Sequence, residues 1–126
     1  MYLLDTNIFL EILLAQEKSA VCKKFLSENT APLFISDFSL HSIGVILFRH
    51  GKEDIFNVFL ADLITKIDIL SLATESYPAL SGLKERYNLD FDDSYQYKIA
   101  EENELTVVTM DKDFRRVEEK IHIRFL

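Results

Sequence analysis

MYLLDTNIFLE, residues 1–11, decides how the rest of this chain is read. Tyr2, Leu3 and Leu4 form a short apolar run of the kind a buried parallel strand carries. The run stops at Asp5, and beyond Thr6 and Asn7 the apolar positions Ile8, Phe9, Ile12 and Leu13 switch to helical spacing. A carboxylate at the carboxyl end of a first strand stands where open α/β sheets hold their ligands. Thr6 or Asn7 can cap the following helix, whose positive end also favours negative charge nearby. Leu10 and Leu14 widen the apolar stripe, so this helix reads as deeply buried or as a partner surface.

Working outward, the same alternation repeats. A second helix is expected over 17–27, with Ala20, Val21, Lys24 and Phe25 inward, before a break at Glu28-Asn29-Thr30-Ala31-Pro32. A strand at 33–35 closes on Ser36, and Ser39 or Asp37 can cap a third helix ended by Gly51. A fourth helix over 52–65 places Ile55, Phe56, Phe59, Leu60, Leu63 and Ile64 on one face. A strand at 67–70 follows, then a fifth helix capped by Thr74 with Pro78 in its first turn. The turn at 88–92 delivers Asp93 to a sixth helix ending near Asn103. Thr106-Val107-Val108-Thr109 is a β-branched strand, and the last strand is expected at 121–123. Strands alternating with helices call for right-handed crossovers and a mainly parallel sheet covered on both faces: a single α/β domain over 1–126.

Composition narrows the class. The chain has 126 residues, 48% apolar, with three Gly and two Pro, which excludes a disordered or low-complexity chain. No apolar run approaches the roughly 18 residues that span a bilayer. Asp5 interrupts the first run and no basic residue precedes it, so it does not read as a secretory signal. The single Cys22 cannot form an internal disulfide and suits a reducing cytoplasm. With 14 Lys and Arg against 21 Asp and Glu, the net charge of −7 gives no long-range attraction to nucleic acid. A plain DNA-binding module is disfavoured, whereas a cluster of acids around a hard cation is compatible. A phosphoacceptor receiver domain needs paired acids after its first strand, and Asp5 has no acidic neighbour.

Three acids stand at strand ends or a helix start: Asp5, Asp93 and Asp111. Strand carboxyl ends share one edge of a parallel sheet, so Asp5 and Asp111 belong together. Spacing alone leaves Asp93 open, because a turn rather than a strand precedes its helix. Each acid taken singly is more readily a cap or turn residue than a ligand. Clustered, they raise one another's pKa until a divalent cation neutralises them, and Mg²⁺ or Mn²⁺ suits oxygen ligands.

MYLLDTNIFLE, then Asp93 with Ala100 seven residues on, then Val107-Val108-Thr109-Met110-Asp111-Lys112-Asp113-Phe114 resembles a PIN domain, most of all the toxin nucleases of the VapC type. The resemblance runs through nearly the whole chain in order. It implies a Rossmann-like parallel sheet and Asp5, Asp93 and Asp111 around one or two Mg²⁺ or Mn²⁺ ions, and so brings Asp93 into the site. It also implies hydrolysis of an RNA phosphodiester by metal-activated water, an antitoxin partner and a homodimer.

This sequence departs from the family pattern at one position. The family carries a second acid, mostly Glu, six residues after the Ser that ends the second strand; here Ser36 is followed by Ser42, preceded by His41. A hydroxyl adds no charge. Asp37 can substitute or cap the helix, and His41 as a ligand favours Mn²⁺ over Mg²⁺. The site is thus expected to be one acid short and to bind metal weakly. Asp113 either ligates a second ion or fixes the turn. Thr6, Asn7 and Thr109 either orient the acids or cap helices. Lys112, Arg115 and Arg116 are the candidates for an RNA backbone, and Tyr95 and Tyr97 for stacking on bases. The alternative is a weak or inactive PIN-like domain that binds RNA or protein.

Overall fold

A computed structural model covers residues 1–126 and describes all of them apart from the side chain of Ile64, so the inward place expected for that residue lies outside the described residues. The order is β1 (Tyr2–Leu4), α1 (Thr6–Leu13), α2 (Ser19–Glu28), β2 (Leu33–Ser36), α3 (Asp37–Arg49), α4 (Glu53–Lys66), β3 (Asp68–Leu70), a 3₁₀ turn (Thr74–Ala79), α5 (Leu80–Tyr87), α6 (Phe91–Asn103), β4 (Thr106–Thr109), a second 3₁₀ turn (Lys112–Val117) and β5 (Ile123–Phe125). The five strands form one parallel sheet in the order β3-β2-β1-β4-β5.

Period-two alternation in the two central strands builds a core on each face of the sheet. Leu3 and Val107, register partners in β1 and β4, pack with Leu83, Leu89, Ile99 and Phe114 on the face covered by α5 and α6. Their successors Leu4 and Val108 turn to the other face and meet Ile8, Cys22, Ile43, Leu47 and Leu63 from the first four helices. All four strand side chains are fully buried, each stabilising the fold by about 1.5–3 kcal/mol. From β1 the chain moves outward through β2 to β3, then returns to lay β4 against the opposite side of β1. The order therefore reverses between β1 and β4, the position at which α/β sheets open a crevice.

Several expectations need correction. Asp5, not Thr6 or Asn7, caps α1, and Ser36, not Ser39 or Asp37, caps α3; in each case the polar residue at the junction of strand and helix keeps extended backbone and turns its own oxygen onto the helix. Thr74 opens a 3₁₀ turn with no side-chain cap, and the α-helix starts only after Pro78. The inward residues of α2 are Cys22, Phe25 and Leu26, whereas Ala20, Val21 and Lys24 are exposed. The final strand lies two residues later than expected, because the second 3₁₀ turn consumes more of the chain before pairing with β4. Gly51, at φ 66, follows the last turn of α3 as expected.

Candidate functional site

The site grows from the carboxyl ends of β1 and β4. The Asp5 amide donates to the Val108 carbonyl at 2.9 Å, which continues the ladder one residue past β1 and fixes the Asp5 backbone. Its carboxylate is buried, with 7% of the residue exposed. Oδ1 accepts from the Thr6 amide at 2.8 Å and from Nε2 of Gln96 at 3.3 Å; Oδ2 accepts from the Thr109 hydroxyl at 2.7 Å. Thr109 Oγ1 in turn accepts from the Asp111 amide at 2.9 Å. Asn7 spans the same gap, its Oδ1 accepting from the Met110 amide at 3.4 Å. The crevice between the two central strands is thus sewn by short polar side chains from both.

Asp111 caps the 3₁₀ turn that follows β4, accepting from the Asp113 amide at 2.9 Å, and this turn brings the Asp113 carboxylate back beside it. Asp93 arrives from the opposite direction. Leu89 is fully buried and anchors the turn, Asp90 caps α6 by accepting from the Asp93 amide at 3.0 Å, and Asp93 projects inward from the first turn of that helix. Ligand atoms of Asp93, Asp111 and Asp113 all lie within 4.8 Å of one another. Asp5 lies outside that tight group but within its field. Burial above all, and then the charges of Asp111, Asp90, Asp5 and Asp113, push the Asp93 carboxyl up to about 8. Burial also raises Asp5, with the hydrogen bonds from Thr109, Gln96 and Thr6 opposing it and the Asp111 charge adding to it.

Other predicted residues stand elsewhere. Asp37 is held by the Tyr95 hydroxyl, which donates to its Oδ1 at 2.7 Å, and by the Phe38 amide at 2.8 Å; it faces a side pocket lined also by His41, Ser42 and Phe91, not the acid group. Neither a substitute fourth acid at Asp37 nor a ligand role for His41 is supported by this placement. Tyr95 and Tyr97 are 2% and 4% exposed, so neither offers a face to a base; the more exposed aromatic beside the site is Phe91. Arg116 forms an ion pair with Asp113 at 3.3 Å and donates to the Asn88 carbonyl at 2.9 Å. Arg115 stacks on Phe125, 5.8 Å from the ring centre. Lys112 is exposed next to Asp111.

Two buried residues escaped the sequence reading. Ser39 places its hydroxyl within hydrogen-bonding distance of Thr6 (2.8 Å), Ser36 (3.1 Å) and Gln96 (2.6 Å), which uses its full valence. Gln96 lies one helical turn beyond Asp93 and so shares its inward face, the one signal the sequence offered. The donor set is all oxygen, carries more negative charge than its one ion pair offsets, and keeps Asp93 from ionising freely. Those properties fit a hard divalent cation held by Asp93, Asp111 and Asp113 with Asp5 adjacent.

The PIN domain family model matches residues 2–120. No curated protein matches the chain by sequence. Among solved structures, the fold is similar to Mycobacterium tuberculosis VapC20, a toxin that cleaves the sarcin–ricin loop (TM-score 0.79, 13% identity, 91% of this chain and 93% of that one). It is similar to VapBC2 of Rickettsia felis bound to a DNA fragment from its promoter (TM-score 0.77, 16% identity, 98% and 97%). It is also similar to a toxin–antitoxin complex from Klebsiella pneumoniae (TM-score 0.73, 21% identity, 90% of each chain).

Proposed function

The chain belongs to the PIN domain family, and from that premise we propose that it is a divalent-metal-dependent endoribonuclease acting as the toxin of a toxin–antitoxin pair. The observation that carries the proposal is the meeting of Asp93, Asp111 and Asp113 beside Asp5, at the reversal of strand order. Mg²⁺ or Mn²⁺ bound there supplies Lewis acidity toward a phosphoryl oxygen and a water acidified toward hydroxide. The chain's own part is to hold the ligands. Thr109 and Gln96 fix Asp5, and Asp90 fixes the Asp93 backbone. Lys112, exposed beside Asp111, is the residue we assign to an RNA phosphate at the rim.

The partner reading rests on a second feature. An apolar groove of about 640 Å³ runs between α1, α2 and α4, floored by Phe9, Leu13, Leu26 and Phe59 and rimmed by Lys23, Asp54, Asp62 and Lys66. Its apolar floor and charged rim suit an amphipathic antitoxin segment. That all three structures above are toxins or toxin complexes supports the same reading.

One observation favours a second reading. Ser42 brings no charge, and Asp37 is occupied by Tyr95, so a domain that binds RNA or protein without cutting fits a site without an acid on α3 as well. Incubating the purified protein with varied single-stranded and structured RNAs and Mn²⁺ separates the two. Cleavage that stops with EDTA and in Asp93→Asn supports the nuclease; intact RNA throughout supports the binding module.

A further inference from the structure

Gln96 is 1% exposed, a rare state for a carboxamide. Its Nε2 donates to Oδ1 of Asp5 at 3.3 Å and to the Ser39 hydroxyl at 2.6 Å, and its Oε1 is buried without a partner. Turning the amide over would aim Oε1 at the Asp5 carboxylate and create a repulsion, so the N–H end belongs where it is. A buried oxygen left unpaired marks a group retained for what its other end does.

That other end decides how Asp5 can be used. A carboxylate has about four lone-pair directions, two on each oxygen. On Oδ1 the Thr6 amide takes one and Gln96 takes the second; on Oδ2 Thr109 takes one and leaves one. We propose that Gln96 is a positioning residue of the metal centre, closing Oδ1 of Asp5 so that Asp5 presents a cation with the single oxygen Oδ2. Ser39 is the anchor: it holds the amide from α3, the helix that lacks an acid at Ser42, so a neutral bridge from α6 braces Asp5 from that side. The inference rests on the metal-site reading above.

Mn²⁺ alone is the probe, titrated calorimetrically into the parent protein, Gln96→Met and Asp5→Asn, with circular dichroism and urea unfolding as the check on fold. Gln96→Met keeps the volume and removes the donor. Loss of an outer ligand contact of this kind lowers metal affinity about 10-fold or more, and Gln96→Met is expected to do so while remaining folded. A merely structural role lowers the urea midpoint and leaves Mn²⁺ affinity unchanged; that result, with Asp5→Asn impaired, overturns the proposal. Asp5→Asn binding as tightly as the parent removes Asp5 from the ligand set and also overturns the proposal, whereas a parent protein that takes up no Mn²⁺ overturns the metal-site reading itself. A second measurement needs no substitution. The chain has two glutamines, Gln16 and Gln96, and Gln16 is exposed, so their side-chain amide resonances are readily told apart. The Gln96 resonance is expected to shift on titration with diamagnetic Mg²⁺; a still resonance under saturating Mg²⁺ also overturns the proposal.

Discussion

The Thr109 hydroxyl donates to Oδ2 of Asp5 across 2.7 Å, joining the ends of two neighbouring strands through residues 104 positions apart. The Thr109 hydroxyl oxygen also accepts from the Asp111 amide, so one side chain sets the position of two acids that the chain brings from opposite halves. Thr109→Val keeps the β-branched shape and removes both contacts. It leaves a buried carboxylate oxygen and an amide unsatisfied and is expected to lower stability by about 1–3 kcal/mol. Mn²⁺ affinity falls with it, on the order of 10-fold. Urea unfolding and calorimetry on the same preparation check both; a stable variant with parental affinity removes Thr109 from the site.

Asp93 predicts how the metal-free protein responds to pH. Its carboxyl rises from the ordinary 3.8 to about 8 in the fold, chiefly through burial and then through its acidic neighbours. A folded value above the unfolded one means that the native state binds the proton more tightly. Its contribution to stability is fully present below about 3.8 and is lost as pH climbs through about 8. Asp93→Asn should therefore unfold at higher urea than the parent at pH values above that window, and the gap should close toward acid pH. Added Mn²⁺ should stabilise the parent most at the alkaline end and the variant little. A parent–variant difference that is flat across the window contradicts the assignment.

What could be read in advance follows from how local each determinant is. Asp5 and Asp111 were legible because a strand end is a local signal and all parallel strands finish at one edge. Asp93 was not fixed by spacing, since its place depends on how Leu89 and Asp90 seat the start of α6. Asp113 turned on the geometry of a single 3₁₀ turn. Gln96 was invisible because an amide in a helix announces nothing until Asp5 and Ser39 are seen against it. The inward face of α2 differs from expectation for a related reason: three consecutive apolar residues, Ala20, Val21 and Cys22, leave the phase of a short helix poorly determined, and Cys22, not Val21, sets it.

Tyr95 bears on the acid that α3 lacks at Ser42. Its hydroxyl accepts from the Leu72 amide at 3.0 Å and donates to Asp37, and burial raises its own pKa well above the ordinary tyrosine value, so it stays a donor. Tyr95→Phe frees the Asp37 carboxylate and leaves the Leu72 amide unpaired, at about 1–3 kcal/mol of stability. Because Asp37 faces a separate pocket, Mn²⁺ affinity is expected to stay at the parental value. Tighter Mn²⁺ binding in the variant would mean that Asp37 reaches the acids once released.

The groove between α1, α2 and α4 gives the sharpest test of the partner, and its best position is Val58. Val58 is 68% exposed and lines the groove on α4, four residues after Asp54 and four before Asp62. An acidic substitution there would face both aspartates along the helix, and a loss of binding could not be told from a loss of helix. Val58→Lys avoids this, because an ammonium between two carboxylates at that spacing supports the helix by about 0.2–0.5 kcal/mol per pair. The isolated protein should thus unfold as the parent does and keep any RNA cleavage it has. An apolar partner segment laid across the same position would have to desolvate that charge. Binding of the antitoxin proposed above, to be sought in a small open reading frame adjoining this one, should weaken on the order of 10-fold or more, equivalent to about 1.4 kcal/mol. Parental affinity in Val58→Lys would place the partner on another face and leave the groove without an occupant.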